Sequence, residues 1–167
     1  MSRRSRAEIE RAGIEAIRGW QTDQDMFDEA AAAYLGINRT DNRCLDILDR
    51  GGRMSAGQLA TAARLTSGAV TAVLDRLETA GYVRRIPDSA DRRRILVEVT
   101  PRVGKESAVI FGPMVEEGAG WIVKYSDAEM ETILGFLERN REILQRHTPR
   151  VMALAAERTR RRAGRAR

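Results

Sequence analysis

Between Ser55 and Thr100 the chain passes once from helical spacing to β-branched runs, and that passage limits the fold more than any other feature. Ser55-Ala56-Gly57-Gln58 reads as a capping box, a serine at the cap with a glutamine three residues on. The helix it opens is short and carries Leu59, Ala62 and Ala63 before a tight turn at Arg64-Leu65. Thr66 caps a second helix in which Val70, Val73, Leu74 and Leu77 recur at i, i+3, i+4 and i+7. Gly81 closes it. Tyr82-Val83-Arg84-Arg85-Ile86 then reads as a strand ending at Pro87, and Ile95-Leu96-Val97-Glu98-Val99-Thr100 as its partner. Asp88-Ser89-Ala90-Asp91-Arg92-Arg93-Arg94 joins them as a polar turn. Two short helices at a brief turn, followed at once by a basic-tipped hairpin, leave few architectures open.

The second helix turns Ser67, Thr71 and Asp75 away from its apolar side, flanked by Gly68, Ala72 and Arg76. With the short helix before it, this describes a helix-turn-helix. Small outer residues suit a helix that must enter a major groove about 12 Å wide. Its N-terminal amides and the hydroxyls of Thr66 and Ser67 can hold a phosphate. The overall charge of +5 says less than its placement. Arg158, Arg160, Arg161, Arg162, Arg165 and Arg167 account for more than all of it, whereas Arg84–Arg94 sets five arginines against Asp88 and Asp91, a local +3. Such a run is usually a solvated face. Directly after a candidate recognition helix it points instead to DNA, and arginine suits the strongly negative narrow minor groove.

The flanks read as helices. From Ala7 to Leu35, Ile9, Gly13, Ile17, Trp20, Phe27, Ala31 and Tyr34 fall at helical spacing, with Trp20, Phe27 and Tyr34 on one heptad-like seam. Polar Gln21–Asp25 leaves the continuity of this helix open. The seam either packs on the same chain or helps build a dimer. Gly36 is a plausible stop and Asn38 or Thr40 a plausible start for an element bearing Cys44, Leu45 and Leu48 and ending at Gly51-Gly52. Thr100-Pro101 starts a helix that Pro113 is expected to kink or break. Ser126-Asp127-Ala128-Glu129 is another capping box, opening a helix with Met130, Ile133, Leu134, Leu137 and Leu144 on one side that Thr148-Pro149 ends or restarts. The arginine tail from Arg158 lacks apolar residues and is expected to be disordered or only partly helical. It, like Arg3, Arg4 and Arg6, either adds non-specific DNA affinity or aids solubility.

Little in the chain points to catalysis. It has no phosphate-cradling glycine loop and no nucleophile elbow. His147 and Cys44 are its single histidine and cysteine, far apart, so neither a zinc site nor a histidine-based triad is expected. No metal, cofactor or enzymatic activity is expected. Cys44 sits on an apolar face with nothing nearby to lower its thiol pKa, which favours a core cysteine over a redox sensor. A lone cysteine, no long apolar run and no secretory signal at Met1–Arg6 fit a cytoplasmic protein without a membrane partner.

Gly36-Ile37-Asn38-Arg39-Thr40-Asp41, the Ser55–Leu59 helix start, Leu65–Gly81 and Asp88–Thr100 together resemble the MarR family of bacterial transcriptional regulators over about residues 25–145. The resemblance implies a mainly α protein with a small β-hairpin wing: a winged helix-turn-helix flanked by N- and C-terminal dimerisation helices. The expected organisation is a helical dimerisation segment at 7–36, a DNA-binding domain at 37–100, dimerisation helices at 101–150 and a basic tail at 151–167. It further implies a homodimer, most simply a repressor, on a pseudopalindromic operator. In this family an Asp on the wing pairs with an Arg two residues later that enters the minor groove, and Asp91 and Arg93 hold those positions. Where the family often has a further Arg, this chain has Ala90, so Arg92 or Arg94 is expected to substitute. Ser55, Thr66, Ser67, Thr71, Arg76, Asp91, Arg92, Arg93 and Arg94 are the expected DNA contacts. Family members commonly bind phenolic or other lipophilic effectors beside the dimer helices, and Trp20, Phe27, Phe111, Met114 and Trp121 are candidates to line such a space. The alternatives are a redox-responsive regulator acting through Cys44 and a non-specific architectural DNA-binding protein.

Overall fold

A computed structural model of the chain describes residues 4–91 and 93–165. The elements run α1 (Arg6–Leu35), α2 (Arg39–Gly51), α3 (Ala56–Ala63), α4 (Ser67–Thr79), β1 (Val83–Pro87), β2 (Ile95–Val99), α5 (Pro101–Ile122) and α6 (Asp127–Arg165). They fall into two units, Met1–Pro113 and Met114–Arg167.

Side-chain caps set the helix starts where the sequence places them. Asn38 accepts from the amide of Asp41, Thr66 from that of Ala69, and Ser5 and Ser55 form complete capping boxes with Glu8 and Gln58. Gly36 ends α1 at φ +67, and Gly81 turns the chain into β1 at φ +76, both left-handed positions that suit glycine. At the end of α3 the same left-handed geometry falls on Arg64, at φ +54, where a side chain makes it costlier.

The core of the first unit joins α2, α3, α4 and the hairpin. Cys44, Leu45 and Leu48 meet Leu59, Ala60 and Ala63, and Val70, Val73, Leu74 and Leu77 close over them. Tyr82, Val83, Val97 and Val103 complete the cluster. Tyr82 is nearly fully buried, its hydroxyl donates to the Leu35 carbonyl at 2.9 Å, and the Arg102 guanidinium lies 4.6 Å above its ring centre. Strands β1 and β2 pair antiparallel from Val83↔Val99 to Pro87↔Ile95. Met54, just before α3, bridges Val97 through bonds of 2.8 and 3.2 Å, which ties the loop entering α3 to the hairpin.

The flanking helices are longer than expected. α1 crosses Gln21–Asp25 without a break. α5 continues through Pro113 and α6 through Pro149, so neither proline ends its helix. A proline removes one backbone hydrogen bond, and the remaining bonds along each long helix carry it past that position. α6 also continues to Arg165, past the point where disorder is expected. Alanine, glutamate and arginine favour the helix there, and Glu157 pairs with Arg161 one turn on at 2.6 Å. Apolar content is therefore not what holds this segment helical.

Candidate nucleic-acid interface

The candidate interface comprises α4 and the hairpin, both fixed from behind. Val70, Val73, Leu74 and Leu77 anchor α4 in the core, leaving Ser67, Gly68, Thr71, Ala72 and Asp75 on its exposed side. The Thr66 oxygen is used as the cap, and the Thr71 hydroxyl donates back to the Ser67 carbonyl at 3.0 Å. Ser55, half-buried, is likewise engaged in its capping box.

Arg76 does not stand free. Its Nε and Nη2 donate to Asp41 of α2 at 2.8 and 2.6 Å, a two-pronged pair with a carboxylate side chain only 2% exposed. Asn38 adds a third bond to the same carboxylate at 2.9 Å. A buried carboxylate needs such partners, and the geometry pins the C-terminal half of α4 to the start of α2.

The hairpin's charge is also redistributed. The Arg84 Nε donates to Glu98 at 2.6 Å, and the Arg53 Nε donates to the other oxygen of that carboxylate. These guanidinium groups, Arg84 foremost and then Arg53, hold the Glu98 carboxyl below the usual carboxylate range against the opposing effect of burial. Arg85 reaches Asp75 at 2.7 Å and also pairs with Glu78, linking the base of the wing to α4. Arg94 lies 3.9 Å from Asp88. The local +3 is therefore largely offset by acids from α4 and β2. Arg93 is exposed and, among the described residues, has no carboxylate within ion-pairing distance; Arg92 lies outside the described residues.

Asp91 relates to Arg93 differently from the expected side-chain pair. Its carboxylate accepts the Arg93 backbone N–H at 3.0 Å, and its carbonyl accepts that of Arg94 at 2.8 Å. Asp88 accepts the Ala90 amide at 2.9 Å in the same manner. Both aspartates shape the turn through its backbone, and the Arg93 guanidinium is left for another partner.

A cleft of about 800 Å³ lies between α1, α2 and α5 of the first unit, with Leu35, Tyr82, Val103, Ile110 and Phe111 in its wall beside Arg39, Arg43, Thr40 and Ser107. Phe27 packs on Phe111 with ring centres 5.5 Å apart. Of the expected ligand residues, Phe111 lines this cleft, Phe27 supports it, and Trp20 lies exposed on α1 outside it. Met114 and Trp121 belong to the second unit. Cys44 is fully buried, and burial foremost pushes its thiol pKa up.

Residues 37–95 match the sequence model of the MarR family. The chain is 35% identical over 150 residues to the uncharacterized HTH-type transcriptional regulator YcgE of Bacillus subtilis, covering 90% of this chain and 97% of that one. The chain belongs to the MarR family. Its members are transcriptional regulators, and DNA binding is the family's shared property. Among solved structures, RV1404 of Mycobacterium tuberculosis shares the fold of this MarR-family chain at TM-score 0.59 and 23% identity, over 85% of this chain and 96% of that one. The F27L mutant of S. aureus MepR, bound to an oligodeoxyribonucleotide, does so at 0.54 and 19%, over 78% and 96%. In this MarR-family protein, α3 and α4 form the helix-turn-helix and β1–β2 the wing. Among the described residues no helix is long and apolar enough to cross a membrane.

Arg84 meets Glu98 directly across the hairpin, whereas the ties of Arg53, Arg85 and Arg76 to acids elsewhere in the fold were not legible in the sequence. Their partners come from other elements, and no local spacing marks them.

Proposed function

We propose that this MarR-family regulator is a homodimeric repressor that grips a pseudopalindromic operator and is released by a small lipophilic or phenolic effector. The observation that carries the reading is Arg93, exposed at the wing tip without an acidic partner among the described residues, beside an α4 whose N-terminal half exposes only small side chains. Ser67 and Thr71 face bases or phosphates, while Ser55 and Thr66 present capped helix N-termini to the backbone. Arg93 enters the minor groove, Asp91 shapes the turn that carries it, and Arg92 and Arg94 meet flanking phosphates. Arg76, held by Asp41, serves to seat α4 on α2 and not to reach the backbone.

The dimer reading rests on apolar residues that stay exposed: Ile9, Trp20 and Tyr34 on α1, and Leu134, Leu137 and Leu144 on α6. A second copy is the partner that their periodic placement suits, and it sets the separation of the two α4 helices. The effector is placed in the cleft beside Phe111, where Arg39, Arg43 and Ser107 offer donors to a phenolate or carboxylate. Such a ligand acts by favouring a spacing of the two α4 helices that no longer fits successive major grooves. A redox switch at Cys44 finds no support in a buried thiol whose ionisation burial opposes.

Footprinting on the DNA flanking the protein's own gene tests the reading. Two protected half-sites about one helical turn apart are expected. Uniform protection without sequence preference would instead favour the architectural alternative. Aromatic acids that raise the melting temperature should also release the DNA; stabilising acids that leave it bound would remove the effector from the account.

A further inference from the structure

The side chains of α4 narrow what a base-reading surface here can detect. Its charged residues are Asp75, Arg76 and Glu78, and each is ion-paired to another side chain of the same chain. Arg76 is paired to the buried Asp41, and Arg85 takes both Asp75 and Glu78. The exposed residues without an ion pair are Ser67, Gly68, Thr71, Ala72 and, at the C-terminal end, Thr79, whose hydroxyl donates to the Asp75 carbonyl. None of these carries the forked donors or amide with which arginine reads guanine or asparagine and glutamine read adenine. The Thr71 proton is committed to the Ser67 carbonyl, so that side chain offers a lone pair and a methyl group. Ala72 offers only a methyl.

We propose that Thr71 and Ala72 are specificity determinants that select thymine through contact with its C5-methyl group, making the centre of each half-site A·T-rich. The inference rests on the proposed reading of α4 as the major-groove helix. In the major groove thymine is distinguished by that methyl, and threonine and alanine methyls are among its natural apolar partners. Burying one methyl is worth about a fourfold change in binding, from roughly 0.8 kcal/mol per apolar carbon. Specificity of this kind is built from several modest contacts and lacks a single dominant one.

The test starts from duplexes selected out of a random pool by the full-length protein. Each thymine of the enriched half-site is replaced by uracil, which lacks only the methyl, and each guanine by 7-deazaguanine, which lacks the N7 acceptor. Binding is read by fluorescence anisotropy at fixed salt. Uracil at the central thymines should weaken binding about fourfold per contacted methyl. 7-Deazaguanine should have little effect. Thr71→Ser keeps the hydroxyl and removes the methyl; it should weaken binding to the thymine duplex and lose no more on the matching uracil duplex. An enriched sequence that binds equally well with uracil, or that fails with 7-deazaguanine, overturns the inference while leaving a sequence-specific regulator in place. Selection that enriches no sequence at all overturns both.

Discussion

Tyr82 offers the sharpest test of how the interface is anchored, because two separable interactions meet on one side chain. Its ring is 2% exposed in the cluster shared by α2, α3, α4 and the hairpin, and its hydroxyl donates to the carbonyl of Leu35 at the end of α1. Tyr82→Phe removes only the hydroxyl. The carbonyl then loses its bond in a part-buried setting, at a cost of about 0.5–1.5 kcal/mol. Tyr82→Ala removes the ring as well, and a buried aromatic truncated to alanine costs about 3–5 kcal/mol, the spread reflecting how far the site collapses. For a chain of this size about 1 kcal/mol corresponds to roughly 2–4 °C in Tm. The assay is urea and thermal unfolding followed by circular dichroism, at one protein concentration because an associating protein's stability depends on it. The expected order is wild type, then Phe, then Ala, with the second step the larger. A Phe variant as stable as wild type refutes the hydrogen bond, and an Ala variant no worse than Phe refutes the ring's place in the core.

Cys44 should resist a thiol reagent at neutral pH in the native protein and react once urea unfolds it, since burial both hides the thiol and disfavours the thiolate; rapid native labelling contradicts this. Glu98 has a folded pKa depressed by Arg84 and Arg53, so its contribution is present above the ordinary carboxylate range and is lost as pH falls through and below it. Glu98→Gln should therefore flatten the acid limb of a stability-versus-pH curve, and parallel acid limbs in the two proteins would exclude the pair as its source.

Much of the fold was written locally. Asn38, Ser55, Thr66 and Ser126 mark helix starts because a short side-chain oxygen satisfies an otherwise orphaned amide, and that chemistry is complete within three residues. Gly36 and Gly81 mark reversals for an equally local reason. The apolar, β-branched run Ile95–Val99 and its partner strand Val83–Pro87 follow from residue type and an intervening polar turn. What escaped was set by partners distant along the chain or by competition between local rules. Pro113 and Pro149 read as breaks because the missing amide is local, whereas the flanking turns that outweigh it are spread over a long helix. The Met54–Val97 bridge is one residue pair and leaves no periodic trace. Five arginines in Arg84–Arg94 suggest a broadly basic hairpin, yet Glu98 on the facing strand and Asp75 and Glu78 on α4 take two of them. The role of Asp91 in binding the backbone amide of Arg93 likewise needed the geometry.

The central claim, that α4 and the wing tip together form the DNA-reading surface, is tested most directly by comparing wild type and Arg93→Ala on a selected operator across a range of salt. The account predicts a loss of about 1–3 kcal/mol, roughly a 5- to 150-fold rise in Kd. Circular dichroism should be unchanged, because the Arg93 side chain is exposed and has no ion-pair partner among the described residues. Operator affinity equal to wild type at every salt concentration would contradict it.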